Sequence, residues 1–396
     1  MTQSAKPVLI AGGGIGGLAA ALALAKHGIA SDVLERDAVF TETGAGIQLG
    51  PNAVRVLESI GAAGRLAPLA ASPGQLVVHD GNSGNVLSEM PLGGQILQCH
   101  GAPYWTAHRG DLHAALLAAA EAEPMITISL GFNIADITST DEGVSATSTD
   151  GVNREGPLLA GADGLWSRVR QLTFGEAALQ FSGSAAYRAV IPSEAMPREF
   201  QDNAVHIWLA PGAHVVHYPV RAGRDYAVIA VVEETGLKPG WDSAGEAEDA
   251  HRHTSHLSAA VLPLLGAVPS WRKWQLSESQ PLPRWSKGRV TLLGDAAHPI
   301  LPYLAQGGAL ALEDAVVLAA ETARHAADPG KALRAYEERR RARAQRVQTA
   351  ARRNGQIYHL EGLAARARDL VLRSTPPERL IANYDWLYGW RESGLT

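Results

Sequence analysis

Cysteine is almost absent from the sequence, with Cys99 the single example among 396 residues. One cysteine can form no internal disulfide and supplies no thiolate cluster for a metal ion. These facts exclude a disulfide-stapled secreted fold and a zinc site of the cysteine type. We therefore expect Cys99 to have a structural role and the protein to work in a reducing cytoplasm.

Long apolar runs and an excess of charge are also lacking. The longest apolar segments, such as 18–25, are much shorter than the roughly 20 residues that span a bilayer, and residues 1–7 show no apolar signal region. Acidic residues outnumber basic residues by 40 to 35, which gives a net charge of -5. Neither a membrane nor a nucleic acid is therefore expected as a partner.

Basic residues are concentrated in the segment 336–353, which is rich in arginine. A nucleic-acid patch and the solvated face of a helix are the two alternatives. Because Glu337 and Glu338 lie among the arginines and the whole chain is acidic, the sequence favours the solvated helix face.

The first segment of the chain carries a glycine motif. The apolar run 8–11 leads into Gly12-x-Gly14-x-x-Gly17 and then into a helix rich in alanine and leucine. Gly12 permits the tight turn, Gly14 lets a pyrophosphate approach the backbone, and Gly17 lets the helix pack close to the strand. The helix start also offers free N–H groups to phosphates.

A second apolar run, 31–34, ends in Glu35, about 20 residues further on, where an acceptor for a ribose hydroxyl is expected. A glycine-rich turn without function is the alternative interpretation. The combination of strand, helix, second strand and terminal acid predicts dinucleotide binding.

The next part of the chain changes from helical to β-rich patterns. A helix is expected over 53–60, with Asn52 as its N-cap, and another over 108–122. The segments 75–79 and 86–90 predict a β-hairpin. We expect the β-rich parts to form a second lobe inserted into the first.

Three strands separated by tight turns, 205–209, 214–218 and 226–232, predict an antiparallel meander in that second lobe. The chain then returns to the first lobe in a buried strand that ends at Asp295, followed by a long helix from about Gly308. The aromatic tail after residue 377 is expected to pack on the body or on another subunit, which leaves a homodimer open.

Two later motifs follow the first in order. They are Gly-Ala-Asp-Gly-Leu-Trp-Ser-Arg-Val-Arg at 161–170 and Leu-Leu-Gly-Asp-Ala-Ala-His-Pro at 292–299. The trio resembles the group A flavoprotein aromatic hydroxylases, whose fold is that of para-hydroxybenzoate hydroxylase. The resemblance extends from the first strand to about residue 350.

The resemblance implies an α/β fold, with a Rossmann-like FAD-binding domain and an inserted antiparallel β-sheet substrate domain. The same resemblance implies that the two domains are each built from several separate segments of the chain. FAD-binding segments are 1–72, 102–178 and 283–350, substrate-domain segments are 73–101 and 179–282, and a C-terminal helical tail is 351–396.

The resemblance also implies that FAD is held non-covalently by residues of all three motifs. Asp295 can accept from a ribityl hydroxyl, Asp163 serves FAD and the visiting NAD(P)H, and Arg109 matches a family arginine that reaches FAD. A helix cap, a turn bonded to its own backbone and a surface arginine are the respective alternatives. No metal ion is expected, and the residues expected to contact FAD are Gly12, Gly14, Ile15, Gly17, Glu35, Arg36, Gln48, Arg109, Asp163, Asp295, Pro302, Gly307 and Gly308.

Within the family the chain looks most like the branch of salicylate hydroxylase, 3-hydroxybenzoate 6-hydroxylase and 6-hydroxynicotinate 3-monooxygenase. The segments that carry this likeness are 44–52, 108–113, 214–219 and 299–307. Segment 299–307 is nearer to the hydroxynicotinate form, but Gln48 replaces the histidine of those enzymes. The implied reaction uses NAD(P)H, with NADH favoured, and O2 to hydroxylate a hydroxylated aromatic carboxylic acid through a flavin C4a-hydroperoxide.

His214 and Tyr218 are four residues apart on one predicted strand and therefore point to the same face. A phenol attacks better as its phenolate, so the site needs a base at the substrate hydroxyl. His214 suits the base role because imidazole titrates near neutrality, and Tyr218 suits orientation of the hydroxyl or carboxylate. Polar side chains that face solvent are the alternative, and His217 and Tyr104 are the next candidates.

No second complete glycine motif follows residue 17, so the sequence predicts no separate nicotinamide domain. Other functions stay open at this point. They are an FAD-dependent oxidoreductase for another small aromatic or heteroaromatic compound, an NAD-dependent dehydrogenase whose first motif holds NAD, and a flavin fold that binds ligands without turnover.

Overall fold

The computed structural model describes residues 6–41, 44–175, 179–234, 243–245 and 247–393. Its strands, in chain order, are β1 (Val8–Ala11), β2 (Ser31–Leu34), β3 (Gly46–Leu49), β4 (Gln75–Asp80), β5 (Val86–Pro91), β6 (Trp105–His108), β7 (Ile126–Ser129), β8 (Ile134–Ser139), β9 (Val144–Ser148), β10 (Asn153–Gly156), β11 (Leu159–Gly161), β12 (Leu179–Pro192), β13 (Ala204–Ala210), β14 (Ala213–Val220), β15 (Asp225–Glu233), β16 (Ser243–Gly245), β17 (Trp271–Ser279), β18 (Ser286–Lys287) and β19 (Val290–Leu292).

The helices of the described residues are α1 (Ile15–Lys26), α2 (Pro51–Ser59), α3 (Ala63–Leu66), α4 (Gly93–His100), α5 (Arg109–Glu121), α6 (Arg168–Phe174), α7 (Ala247–Thr254), α8 (Leu262–Gly266), α9 (Gly307–Arg324), α10 (Pro329–Tyr358), α11 (Gly362–Ser374), α12 (Pro377–Ala382) and α13 (Asp385–Tyr388).

The first lobe is built on a six-stranded sheet in the order β18-β19-β11-β1-β2-β7, parallel except for β18. Strand β1 lies inside this sheet, and its four residues are all apolar and buried, as in strands covered on both faces. Helices α1 and α9 contribute buried alanines and leucines to the same core. This arrangement confirms the predicted β-α-β start.

The second lobe is an eight-stranded sheet in the order β16-β17-β12-β15-β14-β13-β4-β5. The predicted meander is β13-β14-β15, paired antiparallel, and the predicted hairpin is β4-β5. The hairpin joins the meander because β4 pairs in parallel with β13, more than 100 residues further along the chain. The expected α/β fold with an inserted antiparallel sheet is therefore confirmed.

The eight-stranded sheet has two apolar faces because side chains alternate along its strands. On one face Ala213 and Val215 of β14 pack with α7 and α8. On the other face, here called the inner face, Val216, Tyr218 and Val220 pack toward Leu310 of α9. The inner face thus meets the first lobe.

The predicted N-cap role of Asn52 is wrong. Helix α2 begins at Pro51 with Gly50 as N-cap, because proline needs no N–H partner at the first helical position. Asn52 is fully buried, and its Nδ2 donates to Gln306 Oε1 (3.0 Å) and Glu313 Oε1 (2.7 Å). Its side chain therefore links α2 to α9.

The solvated-face prediction for 336–353 is wrong for Arg340 and Arg343. Arg340 is 1% exposed and pairs with Asp314 (2.6 Å) and Glu313 (2.8 Å), and Arg343 pairs with Glu313 (2.5 Å). The carboxylates of α9 are buried, so they need cations from the neighbouring helix. Arg353, by contrast, is exposed.

The aromatic tail packs on the body, the first of its two expected alternatives. Arg55 of α2 donates to the carbonyl oxygens of Tyr388 and Trp390, and Arg346 of α10 stacks over Trp386 at 4.0 Å from the ring centroid. Helix α10 runs without a break through residue 350, where a domain boundary was expected, and the boundary expected at residue 178 lies outside the described residues.

Cys99 lies exposed on α4, so packing gives no support to its expected structural role. None of the helices in the described residues combines the length and apolarity that a membrane span requires. The same residues contain no cluster of three or more histidine, cysteine, aspartate or glutamate side chains suited to a metal ion.

Candidate active site

The three glycines of the first motif have different surroundings. Gly12 has a left-handed backbone (φ +101°), and a Cβ there would lie 2.7 Å from the carbonyl oxygen of Ala162. A Cβ at Gly17 would lie 1.9 Å from the carbonyl oxygen of Gly12, whereas a Cβ at Gly14 would meet no atom within 4 Å. The fold itself requires Gly12 and Gly17, while Gly14 borders open space where a phosphate can approach the backbone.

Helix α1 begins beside that open space. Gly14 is its N-cap, and no side chain of the described residues caps its first N–H groups. The free N–H groups and the helix dipole favour an anion at this point. Ile15 is buried in the first turn, and His113 Nε2 lies 2.8 Å from the carbonyl oxygen of Gly13, which fixes the loop from the side of α5.

Glu35 follows β2, as predicted, and its carboxylate lies against the glycine loop. One oxygen accepts from the N–H of Gly13 (2.7 Å) and the other from the N–H of Asp37 (3.0 Å). The loop therefore holds Glu35 at the edge of the cleft, and its contact with a ribose stays a prediction. Arg36 is exposed beside it.

Asp163 in the second motif bonds within its own turn. Its carboxylate accepts from the Ser167 hydroxyl (2.5 Å) and from the N–H of Val169 (3.0 Å). Burial raises the pKa of Asp163, and these two donors act in the opposite direction. The geometry supports the turn interpretation, while the contact of Asp163 with FAD stays a prediction.

Arg170 ties the second motif to the third. Its guanidinium donates to the carbonyl oxygens of Ala296 (2.8 Å) and Leu165, so the two motifs form one wall. The Asp295 carboxylate is accessible on this wall. Desolvation of the carboxylate by the protein around it raises the pKa of Asp295, although the charges of His298, Arg109 and Arg170 act to lower it.

Arg109 begins α5 and is half-buried, close enough to Asp295 for its charge to act there. Two opposite charges from separate elements therefore border one cleft. Such a pair suits a polar ligand that carries both hydroxyl and phosphate groups.

The loop before α9 contains strained backbone. Pro302 starts a short 3-10 turn over 302–304, and Ala305 after it has φ +52°, which non-glycine residues rarely adopt. Helix α9 follows at Gly307, and no side chain of the described residues caps it. A Cβ at Gly308 would lie 2.9 Å from Ile47 Cδ1, so glycine allows β3 to come close.

His214 and Tyr218 lie on the same face of β14, as predicted, and this is the inner face. Across the sheet, Val216 between them stands opposite Ile229 of β15, and Ile229 stands opposite Arg188 of β12. Neighbouring strands are about 4.8 Å apart, so Arg188 lies about two strand spacings from Val216. The inner face thus presents three polar side chains around an apolar centre.

His214 is 3% exposed and enclosed by aromatic rings. Its ring centroid lies 5.5 Å from that of Tyr303 and 5.2 Å from that of Tyr358. Its Nδ1 lies 2.9 Å from His359 Nε2 at the end of α10. Burial, followed by the neighbouring His359, lowers the pKa of His214 well below its usual value. The imidazole is therefore neutral at neutral pH.

Gln48 joins two tyrosines at the other end of the inner face. The Tyr104 hydroxyl donates to Gln48 Oε1 (2.5 Å), and Gln48 is close enough to Tyr218 to act on the pKa of its hydroxyl. Burial raises the pKa of Tyr218 to about 12, although Arg188 and Gln48 act to lower it. Gly46 is needed here, because a Cβ would lie 2.7 Å from the Tyr218 hydroxyl.

Sequence reasoning missed Arg188 and the bond between Gln48 and Tyr104. Arg188 stacks over Trp274 at 4.0 Å from the ring centroid, and it is half-buried. No motif marks Arg188, and the only available signal was its alternation with the buried residues of β12.

His217, the next candidate after His214 for the catalytic base, lies on the opposite face of the sheet. Its ring stacks on that of His206 (4.6 Å), and Trp208 Nε1 donates to its Nδ1 (3.3 Å). The odd-numbered residues of β14 face away from the first lobe, so His217 belongs to a separate histidine cluster.

An α/β lobe with a nucleotide-binding glycine motif that meets an antiparallel sheet defines the class as a two-lobe dinucleotide-binding protein. The model of the FAD-binding domain family matches residues 5–351. A 3-hydroxybenzoate 6-hydroxylase of Polaromonas naphthalenivorans (strain CJ2) is 36% identical over 97% of this chain and 96% of its own length. The 3-hydroxybenzoate 6-hydroxylase 1 of Aquipseudomonas alcaligenes is 37% identical over 96% and 97%.

A solved salicylate hydroxylase substrate complex superposes with a TM-score of 0.82, at 25% identity, over 98% of this chain and 96% of that one. The chain belongs to the FAD-dependent aromatic hydroxylases. The predicted resemblance, cofactor and reaction class are thereby confirmed.

The cleft residues fit FAD on their own geometry. Two uncapped helix N-termini, those of α1 and α9, open beside glycines, which suits a pyrophosphate at one and an electron-rich ring edge at the other. Asp295 is accessible and belongs to the turn that packs against α9. The individual contacts remain predictions for the thirteen residues identified from the sequence.

Proposed function

We propose that the protein hydroxylates a benzoate that carries a ring hydroxyl, of the 3-hydroxybenzoate type, with NADH as reductant. The observation that carries this proposal is the inner face, where His214, Tyr218 and Arg188 surround the apolar centre of Val216 and Ile229. An aromatic ring suits the apolar centre, and a hydroxyl and a carboxylate suit the polar groups around it.

His214 is the proposed base at the substrate hydroxyl. Burial lowers its pKa well below the usual value, so the imidazole is unprotonated at neutral pH and has a lone pair for the substrate proton, but it is a weaker base than the near-neutral imidazole expected from the sequence. A substrate held as phenolate is the stronger nucleophile. Tyr218 keeps its own proton, because its pKa is about 12, and so acts by donating a hydrogen bond that orients the substrate oxygen.

Arg188 is the proposed partner of the substrate carboxylate. A guanidinium fits a carboxylate in planar geometry, and the stack on Trp274 holds its plane. Arg188 acts on Tyr218 through its charge, so both side chains border the same space. This placement favours an aromatic acid over an uncharged phenol.

FAD, once reduced, supplies the activated oxygen that is transferred to the ring. The loop residues Ile300 and Leu304 pack with the inner-face cluster, and Leu301 and Tyr303 are buried with Val231. Apolar walls of this kind keep water from the reacting centre and so limit the loss of reducing equivalents as hydrogen peroxide.

The co-substrate and the assembly belong to the same proposal. Because the sequence has one dinucleotide motif, NADH visits the FAD cleft and leaves. The use of NADH as reductant fits an enzyme of the cytoplasm. A homodimer is supported by α11, where Leu363, Leu370 and Val371 are 82%, 69% and 61% exposed. Sedimentation velocity distinguishes a dimer from a monomer.

The test uses the purified holoenzyme and a panel of 3-hydroxybenzoate, salicylate, 6-hydroxynicotinate and urate. We expect 3-hydroxybenzoate to stimulate NADH oxidation with about one hydroxylated product per NADH. Absence of product from every compound, with one hydrogen peroxide formed from O2 for each NADH oxidised, would contradict the proposal. The variant His214→Ala should keep FAD but lower product formation by roughly 100-fold or more and release peroxide instead.

A further inference from the structure

A chain of hydrogen bonds connects His214 to the protein surface. His214 Nδ1 lies 2.9 Å from His359 Nε2, and His359 Nδ1 lies 3.1 Å from Glu233 Oε1. The side chains of His214 and His359 are nearly inaccessible, whereas that of Glu233 is 61% exposed. Two hydrogen bonds therefore cover the whole distance from the inner face to solvent.

The chemistry of the three groups sets the direction of these bonds. A carboxylate only accepts, so His359 Nδ1–H donates to Glu233. A neutral His359 then has a lone pair at Nε2, which accepts from His214 Nδ1–H. This tautomer leaves the lone pair of His214 at Nε2, the state that a base needs.

We propose that His359 and Glu233 form a relay that carries the proton of the bound substrate hydroxyl from His214 to bulk water. The relay rests on the proposed function, because it takes His214 as the base. His359 and Glu233 touch neither substrate nor cofactor in this scheme and act through His214.

The proton count balances at each step. The substrate O–H bond breaks and an N–H bond forms at His214 Nε2. The Nδ1 proton of His214 moves to His359 Nε2, and the Nδ1 proton of His359 moves to Glu233, which loses it to water. The reverse transfers restore both tautomers when the oxygen of the product is protonated, and no electron changes place.

The surroundings favour relay over permanent charge on either ring. Burial lowers the pKa of His359, whereas Glu233 acts to raise it, and Arg368 lowers it further. Glu233 borders a surface pocket together with Ser182 and His253, so the far end of the relay is open to buffer. The other titratable groups near the two imidazoles are Tyr303 and Tyr358, and Glu278 acts on Tyr303 through its charge.

The experiment measures proton release, separately from turnover. Oxidised holoenzyme is mixed with 3-hydroxybenzoate in weak buffer with a pH indicator, and the proton is followed in a stopped-flow instrument. The variants are Glu233→Gln and His359→Gln, which keep a hydrogen-bonding side chain but cannot pass a proton on. His253→Gln, in the same surface pocket but outside the chain of bonds, is the matched control.

In both relay variants we expect proton release to slow at least about tenfold, with FAD content and the Kd of 3-hydroxybenzoate unchanged. His253→Gln should release protons at the wild-type rate. A high concentration of acetate buffer should accelerate release in Glu233→Gln, an effect that a merely structural role would not produce.

Two other outcomes identify which idea fails. If His214→Ala abolishes release but both relay variants release protons at the wild-type rate, the relay is wrong and the base role of His214 stands. If His214→Ala itself releases protons normally, the base assignment fails, and the relay fails with it.

Discussion

Tyr218 shows how a single buried hydroxyl can be assigned a role from its surroundings. Its pKa of about 12 keeps the proton on its oxygen at every working pH, even though Gln48 of β3 acts to lower that pKa. A hydrogen bond to a charged oxygen contributes about 1.5–3 kcal/mol. In the proposed function Tyr218 therefore orients the substrate, while proton removal falls to His214.

The first prediction concerns Tyr218→Phe. We expect kcat/KM for 3-hydroxybenzoate to fall about 10- to 100-fold, the factor that corresponds to one such hydrogen bond, because the phenolate loses its donor. FAD content should not change, and the pH profile should keep the limb that belongs to His214. A variant whose pH profile loses that limb would show that Tyr218, and not His214, takes the proton.

At the scale of elements, the junction between β1 and α1 separates folding from binding within one motif. Gly17 is needed for packing, because its Cβ would lie 1.9 Å from the Gly12 carbonyl oxygen, while a Cβ at Gly14 would meet open space. Gly14 has φ -75°, which alanine adopts without strain.

The second prediction compares Gly14→Ala with Gly17→Ala. Gly14→Ala should leave the thermal midpoint of the apoprotein unchanged but lower its affinity for FAD, because the methyl group occupies the phosphate side of the cleft. Gly17→Ala should destabilise the apoprotein by about 1–3 kcal/mol. Thermal melts of apoprotein and fluorescence titration with FAD check both. Normal FAD affinity in Gly14→Ala would place the phosphates elsewhere.

Helices α9 and α10 meet through a buried ionic network. Asp314 accepts from Arg340 (2.6 Å), from the N–H of Gly294 (2.9 Å) and from His298 (2.5 Å). Burial acts to raise the pKa of Asp314, but His298, Arg340 and Gly294 outweigh it and lower the pKa to about 2. The network holds the third motif against α9.

The third prediction is that Asp314→Asn destabilises the protein by about 1.5–3 kcal/mol, because the buried Arg340 loses one of its two carboxylate partners and keeps the ion pair with Glu313. Urea unfolding measures the loss. Glu155→Gln, which removes the exposed pair with Lys6, is the control and should leave the unfolding midpoint unchanged. Equal effects of the two substitutions would mean that the buried network contributes no more than a surface pair.

For the molecule as a whole, the features that could be predicted from the sequence are those set by residues close together in the chain. The glycine motif, the meander and the shared face of His214 and Tyr218 depend on neighbours within a few residues, and all were predicted. The roles of Asn52, Arg340 and His359 depend on partners that only the folded chain brings together. His359, for example, lies 145 residues from its partner His214 in the sequence. Local periodicity carries no information about such pairs.

Acid sensitivity is a property of the whole molecule, because buried histidines occur on both faces of the large sheet. Burial, and then His206, lowers the pKa of His79 to about 4, and burial lowers the pKa values of His217 and His214 well below the usual value. The unfolded chain takes up protons near pH 6.5, whereas the folded chain does not. Stability therefore decreases as the pH falls below about 6.5.

The fourth prediction is that His217→Phe makes the protein less sensitive to acid. The ring lies against Phe200 and Trp208, so phenylalanine fits an aromatic setting and removes one group that titrates only on unfolding. Between pH 7.5 and pH 5.5 one such histidine costs about 1.4 kcal/mol, and the variant should lose that much less in urea unfolding. His251→Gln, on the exposed side of α7, is the control and should follow the wild type. An unchanged pH dependence in His217→Phe would mean that His217 is already protonated in the folded protein, or that the unfolded chain does not protonate it.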